Sequence, residues 1–274
     1  WLVTWGDIAL LFSMYILVSF GVTIGYHRLL THGSFKTNNV VRYVLAILGT
    51  MSWQGGAITW VSNHRQHHAH ADEKGDVHSP HLSKSMIKGF FHSHIGWLLM
   101  GQRADPEKWA PDLLQDKGMV FIQRTSAVWF IMSLLIPFAI EGWSGLLWGG
   151  CVRIMLSQHA TFSVNSVCHI FGNRPFETKD RSTNHWLVGL LALGEGGHNT
   201  HHASPRSARH GIRWWHFDTS WKLIWLLARL RLAWDVYDLD MADLLKAIKV
   251  RAGGVKASIR KDMGHKRHLK AAVS

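Results

Sequence analysis

Twenty histidines in 274 residues would be surface decoration if they were scattered, but nine of them fall into patterns. His64-Arg-Gln-His67-His68 and His198-Asn-Thr-His201-His202 repeat one spacing, His-x-x-His-His. On a helix, residues i, i+3 and i+4 share a face, so each triplet aims three imidazoles into one volume. His27 and His32 are five apart, about 140° around an ideal helix, and converge only if the helix bends or ends between them. Asn165 and His169 stand at i and i+4 and add an amide and an imidazole. Imidazole suits iron, zinc and copper. Nine imidazoles exceed the four ligands of tetrahedral zinc, and two metals with four or five nitrogens each would use them all. Neutral ligands with open positions suit a pair of irons that binds oxygen.

The elements that must position these groups read as membrane helices. Ile8 to Tyr26 carries no charge, and about 20 such residues span a bilayer core. Further candidates run from about Met119 to Ile140 and from about Trp143 to Cys168. The last holds Arg153, His159 and Asn165, so one side of it must face protein or water. Charged residues are 18% and hydrophobic ones 47%, with 15 Trp against 4 Tyr, and Trp collects at lipid–water interfaces. This composition excludes a disordered chain. Two cysteines exclude a disulfide scaffold or a cysteine zinc site; Cys151 and Cys168, most of a span apart, read as reduced.

Topology constrains the rest, because all nine imidazoles must meet on one side of the bilayer. The apolar stretch Val40–Val61, with Arg42 and Gln54, cannot be a full span, since His64 would then emerge opposite His27 and His32. It is expected to be interfacial, re-entrant or a bent hairpin. The basic residues concentrate in Arg65–Lys117, Arg174–Arg213 and the tail from Lys246, and the net charge is +12. The positive-inside rule places these stretches in the cytoplasm and the Glu141–Gly142 hairpin outside. The tail 246–274 has nine Lys or Arg against Asp262 alone. It suits anionic lipid, and no nucleic-acid motif accompanies it. Trp214 to Trp234 reads as an aromatic, basic helix lying in the interface.

The residues quoted above, with Gly89-Phe-Phe-His-Ser-His-Ile-Gly-Trp-Leu-Leu99, Asn165-Ser-Val-Cys-His169-Ile-Phe-Gly172 and Gly194-Glu-Gly-Gly, resemble the membrane fatty-acid desaturases, in particular Δ9 acyl desaturases of the stearoyl-CoA type and of bacterial origin. The match covers about residues 6 to 240. The resemblance implies an all-α integral membrane bundle of four spans, three of them visible here and the fourth preceding Trp1. It implies a membrane domain over 1–245 whose cytosolic helical cap holds a His-rich di-metal site, followed by the basic tail, in a bacterial inner membrane. It further implies two irons held by His27, His32, His64, His67, His68, His169, His198, His201 and His202, with Asn165 reaching one through water; zinc can take the same ligands in a purified sample. The reaction is oxygen-dependent removal of two hydrogens from adjacent acyl carbons to give a cis double bond.

Departures qualify the substrate carrier. Animal acyl-CoA members carry an Arg-Asp pair just before the second histidine box, where this chain has Ser62 and Asn63. An acyl-carrier protein or an intact lipid therefore stands beside CoA as carrier. No fused cytochrome b5 segment is visible, so electrons are expected from a separate ferredoxin, flavin reductase or b5-like partner, drawn to a basic surface. Trp60 and Gln54 are expected along an acyl tunnel, with Tyr15 and Leu11 closing its far end. Glu195, and with less reason Asp72, Glu73 and Asp76, are candidates to orient ligand imidazoles through the second ring nitrogen. His70, His78 and His81 read as polar loop surface, His92 and His94 as neighbours of the site, and His159 as bonded within the bundle. Rival chemistries on the same centre are hydroxylation, acetylene formation and terminal-alkene-forming decarboxylation. A metal transporter would need ligands at mid-membrane, and a haem cytochrome b would pair single histidines on facing helices.

Overall fold

A computed structural model describes residues 3–239 except 102 and 214; the tail 246–274 lies outside the described residues. Among the latter the chain is helical, apart from one two-stranded antiparallel ribbon, β1 Lys36–Thr37 with β2 Ala233–Trp234. Two helical stretches, Trp5–Thr31 and Ser126–Ile170, are long and apolar enough to cross a membrane.

The first stretch begins as helix α1, Trp5–Phe20, closed by a capping box in which Thr4 and Asp7 satisfy each other's backbone N–H. It continues without a break as a wider π-helix, Gly21–Thr31. Helix α2, Asn39–Thr50, returns antiparallel along it. Small residues allow the contact: a Cβ on Gly21 would lie 2.1 Å from the Gly49 nitrogen, and one on Gly25 would lie 2.8 Å from the Leu45 carbonyl oxygen. The Tyr26 hydroxyl crosses the same seam to Thr50 Oγ1 at 2.7 Å.

The Val40–Val61 stretch divides as the bent-hairpin alternative has it. Helix α2 stops at Thr50, Trp53 and Gly55 take positive φ of 65° and 99°, and helix α3, Ala57–His70, starts afresh. Its first turn lacks a side-chain cap of its own, and Gln123 Oε1 accepts from Ile58 N at 2.9 Å instead. Gln123 belongs to helix α4, Lys117–Arg124, which ends at Thr125. The second apolar helix therefore begins at Ser126 rather than Met119, because the residues before it turn aside to cap α3.

Ser126–Ile170 is a hairpin. Helix α5, Ser126–Gly145, is broken at Glu141 and at Gly142 (φ 58°, ψ −139°), and the chain returns through a π-helical turn, Leu146–Val152, into helix α6, Arg153–Ile170. The hairpin encloses Arg153, which is fully buried. Its guanidinium donates to the carbonyls of Gly149, Met51 and Ser133 at 2.9–3.0 Å, which removes the cost of a bare buried charge. After α6 come two short helices, Trp186–Leu191 and α7, His198–Ala203, and then α8, Thr219–Arg229. The expected Trp214–Trp234 helix is thus confined to α8, because the chain leaves it to form β2. Ile224 of α8 is fully buried, while Trp225 and Leu226 are half exposed.

The Gly21–Gly49 contact leaves no room for a methyl group on either backbone. Gly21→Ala is expected to force the two helices apart and lower stability by about 1–3 kcal/mol. Thermal unfolding of the detergent-solubilised chain, followed by Trp fluorescence, measures this; an unchanged midpoint would mean the seam is not tight.

Candidate metal centre

Four elements deliver the nine imidazoles. In the π-helix the Leu29, Thr31 and His27 region is wound at more than four residues per turn, and the His32 N–H bonds the His27 carbonyl, five residues back, at 3.2 Å. The wider turn closes the angle that an ideal α-helix would leave, and the two rings meet edge to face at 4.9 Å between centroids. Helix α3 contributes His64, His67 and His68, and α6 contributes His169 in its last turn. Helix α7 contributes His198, His201 and His202. A glycine turn precedes it: Gly194 has φ 119°, and a Cβ there would lie 2.4 Å from Asp218 Oδ1.

The rings divide into two groups. His27, His32, His64, His68 and His201 form one, and His67, His169, His198 and His202 the other; within each, the candidate ligand atoms all lie within 4.8 Å of one another. In the first group Nε2 of His201 is 3.1 Å from that of His27 and 2.9 Å from that of His68, which in turn is 3.1 Å from that of His64. In the second, His198 Nε2 is 2.9 Å from His169 Nε2 and 3.1 Å from His202 Nε2. Each triplet is split between the groups: His67 separates from His64 and His68, and His201 from His198 and His202.

Carboxylates face the opposite ring nitrogens. His27 Nδ1 is 2.6 Å from Glu195, His67 Nδ1 is 2.9 Å from Asp76, His169 Nδ1 is 3.0 Å from Asp72 and His202 Nδ1 is 2.9 Å from Asp180. Burial alone would raise these carboxyls. The imidazoles beside them instead hold all four well below the usual carboxylate range, helped at Glu195 by Arg28. Each carboxylate therefore accepts from Nδ1–H and leaves Nε2 with a bare lone pair. His169 and His202 then both present lone pairs to His198 Nε2, and one proton there cannot satisfy two acceptors. His198 Nδ1, His201 Nδ1 and His32 Nε2 are buried with no hydrogen-bond partner. Converging lone pairs with unpartnered buried nitrogens call for cations, and this donor set fits two metal ions, one per group.

Glu195, Asp72 and Asp76 each face Nδ1 of a candidate ligand imidazole, and among the described residues Glu73 makes no such contact. Asp180 was not singled out in the sequence, because nothing in its spacing ties it to a histidine box. Arg28 is a second such residue: fully buried, it donates to the Ala208 carbonyl at 2.7 Å and pairs with Glu195 and Asp218 at 3.2 and 2.9 Å. Its signal was present, since an arginine next to a ligand in an apolar helix needs partners. The polar-surface expectation is corrected for two loop histidines. His78 is buried against His67 with Nδ1 3.8 Å from Asp76, and His81 Nε2–H donates to the His169 carbonyl at 2.7 Å. His94 bonds Ser166 and His159 at 2.9 Å rather than any ligand.

A cavity of about 410 Å³ opens beside the first group. Trp60 and Gln54 line it, with Thr161 and Phe162 of α6, and His64 and Asn165 stand in its wall. Trp60 stacks on His64 at 4.8 Å, and Gln54 Nε2 donates to Thr161 Oγ1 at 2.9 Å. Leu11 and Tyr15 do not line this cavity. The Tyr15 hydroxyl is drawn to the Leu191 carbonyl at 2.6 Å instead, which removes the basis for placing it at the cavity's end.

Two predictions follow from the nitrogens. Burial pushes His64, His68, His198 and His201 well below 6.5, reinforced by neighbouring imidazoles, and brings His202 down to about 4 although Asp180 opposes it. His67 is the exception, raised by Asp76 against its burial. A histidine whose folded value is depressed contributes stability that is present above its unfolded value and lost as pH falls below it. The metal-free chain should therefore lose thermal stability progressively below about pH 6.5, and a flat profile from pH 7 to 5 would contradict neutral imidazoles. Separately, Asp76→Asn should weaken metal affinity by about 10–100-fold, read by competition with a chromophoric chelator.

Comparison with known proteins identifies the family. Residues 1–236 match the fatty acid desaturase family. The chain is 39% identical over 259 residues to a hex-5-enoyl-[acyl-carrier protein] acetylenase of Moorena producens, covering 89% of this chain and 80% of that protein. It is 41% identical over 236 residues to an sn-1 stearoyl-lipid 9-desaturase of Anabaena variabilis, covering 85% of each. It is 40% identical over 238 residues to an acyl-CoA C20 Delta5-desaturase of Anemone leveillei, covering 85% of this chain and 74% of that one. With nine imidazoles in two groups and a cavity at their side, the chain belongs to the fatty acid desaturase family.

Proposed function

We propose that the chain is a membrane-bound acyl desaturase that places a cis double bond at carbon 9 of a saturated chain, using two irons and electrons from a separate donor. The single observation that carries this reading is the cavity wall, where His64 of the five-histidine group and Asn165, one turn before His169, border the space available to substrate. Bound iron would supply the activation of oxygen that removal of hydrogen from an unactivated methylene requires.

The protein's own residues define what reaches that position. Trp60 and Phe162 give the cavity aromatic walls, and Trp53 and Phe130 extend them at the α5 side. An extended methylene chain fits such walls by burial of apolar area alone. Gln54 Nε2 donates to Thr161 Oγ1, while Gln54 Oε1 is buried without a partner at that point of the lining. The four carboxylates hold the imidazole tautomers, so that Nε2 faces inward at His27, His67, His169 and His202.

The carrier is read as a membrane lipid. Ser62 and Asn63 stand where the animal acyl-CoA enzymes carry charge. Ser62 is buried and donates to the Ile58 carbonyl, while Asn63 Oδ1 accepts from Ala104 N at 2.8 Å. Neither offers a charge to a CoA headgroup. Two relatives are named as sn-1 stearoyl-lipid 9-desaturases, which supports the same choice. The proposed topology has Trp5–Thr31 crossing once and the Ser126–Ile170 hairpin crossing twice. The histidine groups and the basic tail face the cytoplasm of a bacterial inner membrane.

Gas chromatography–mass spectrometry of lipids from cells expressing wild type and His201→Ala tests the reading. A monounsaturated acid with its double bond at carbon 9, in wild type alone and within the lipid fraction, is the expected result. An alkyne, hydroxy acid or terminal alkene would retain the centre and replace the reaction.

A further inference from the structure

Besides the acyl cavity, two clefts among the described residues reach a candidate ligand, and they differ in charge. One, beside His32 alone, is walled by Lys36, Arg42 and Arg65, paired with Asp235, Asp116 and Asp112 in turn. The other, of about 500 Å³, has His32, His68 and His202 in its floor. Its floor therefore touches both metal groups at once, whereas of the nine imidazoles in the two groups the acyl cavity reaches His64 alone. Its rim carries Glu73 and Glu177, both exposed, with Asp180 deeper in and Lys179 as the opposing charge. Among the described residues no side-chain partner engages Glu73 or Glu177. The rim acids alone would be ordinary surface. What sets them apart is the floor below them, where His32 Nε2 is buried and unpartnered.

We infer that this second cleft is the port through which the metal ions are loaded, the rim carboxylates gathering a hydrated divalent cation and passing it to His32, His68 and His202. The inference rests on the metal-centre reading above and adds a route to it. Metal ligands buried within a folded chain need such a route, because a hydrated cation cannot cross apolar walls. The acyl cavity is a poor one: no carboxylate lines it, and its only formal charge among the described residues is Arg103, which repels a cation. The His32 cleft reaches one ligand only, and the carboxylate in its wall, Asp112, is already held by Arg65. Hard carboxylate oxygens at the rim bind a hydrated ion weakly, and imidazole below binds it more tightly once water is shed. The ion thus moves down a gradient of ligand strength. Asp180, holding His202 Nδ1, keeps the receiving lone pair directed inward.

The test is uptake of Zn²⁺ by the metal-stripped full chain in detergent micelles, timed by stopped flow with a chromophoric chelator as the metal source. Glu73→Gln/Glu177→Gln should slow uptake several-fold, and Glu73→Lys/Glu177→Lys about tenfold or more, with the difference shrinking at high salt. Ala69→Trp, at an exposed position on the cleft wall, should slow it without dependence on salt. Leu98→Trp, in the acyl cavity, should leave the rate unchanged. All variants should reach two metal ions per chain at equilibrium, as wild type does. Equal rates for wild type and the cleft variants, or slowing by Leu98→Trp alone, would overturn the port and leave the metal centre standing. Failure of wild type to take up metal would overturn both.

Discussion

The structure depends on keeping lone pairs bare. Nine imidazole rings packed within a few ångströms would ordinarily pair as donors and acceptors among themselves. Here Glu195, Asp76, Asp72 and Asp180 accept hydrogen bonds from Nδ1–H of four rings, and those rings, when neutral, have nothing to donate inward. Nε2 of His169 and of His202 then both face His198 Nε2 as acceptors, an arrangement that is unfavourable by itself and favourable around a cation. Much of the chain outside the apolar helices serves this one requirement. The loop after α3 brings Asp72 and Asp76 back onto the rings, the segment before α7 brings Asp180, and Arg28 fixes Glu195 from the opposite side.

That division explains why the two halves of each histidine box separate. Residues i and i+4 of a helix lie on nearly the same line, and i+3 lies to one side. His64 and His68 therefore serve one group while His67 turns to the other. In the second box His198 and His202 stay together and His201 crosses to the first group. One spacing, used by two helices facing each other, yields a five and a four. The long-range position of α7 against α3 decides which ring goes where, and spacing within a single helix carries no record of it.

Legibility follows the same line. The histidine boxes, the need for a bend near His27–His32 and the impossibility of a full span over Val40–Val61 all come from local pattern plus one topological demand, and the structure has helices breaking where that demand falls. Gln123 was hidden because it acts on a distant helix: it caps α3, and so ends an apolar run that hydropathy alone continues. Asp180 was hidden because a carboxylate that orients a ring can come from any loop able to reach it. His78 and His81 looked like loop surface since burial by a neighbouring loop has no periodicity. Tyr15 lies on the expected helix face, yet its hydroxyl is claimed by a carbonyl from the segment after α6.

The first helix is a screw of two pitches. Over Trp5–Phe20 it advances at the usual rate, and over Gly21–Thr31 it packs more residues into each turn. The angular phase of everything after Phe20 is thereby set by how many residues occupy the wide section. A one-residue deletion there would cost little in length, about 1.5 Å. It would also rotate His32 relative to His27 out of the shared volume. Length and phase are thus under separate control in this helix: its apolar surface tolerates small changes in span, whereas the count of residues between Gly21 and Thr31 acts as a timing mark for the ligands.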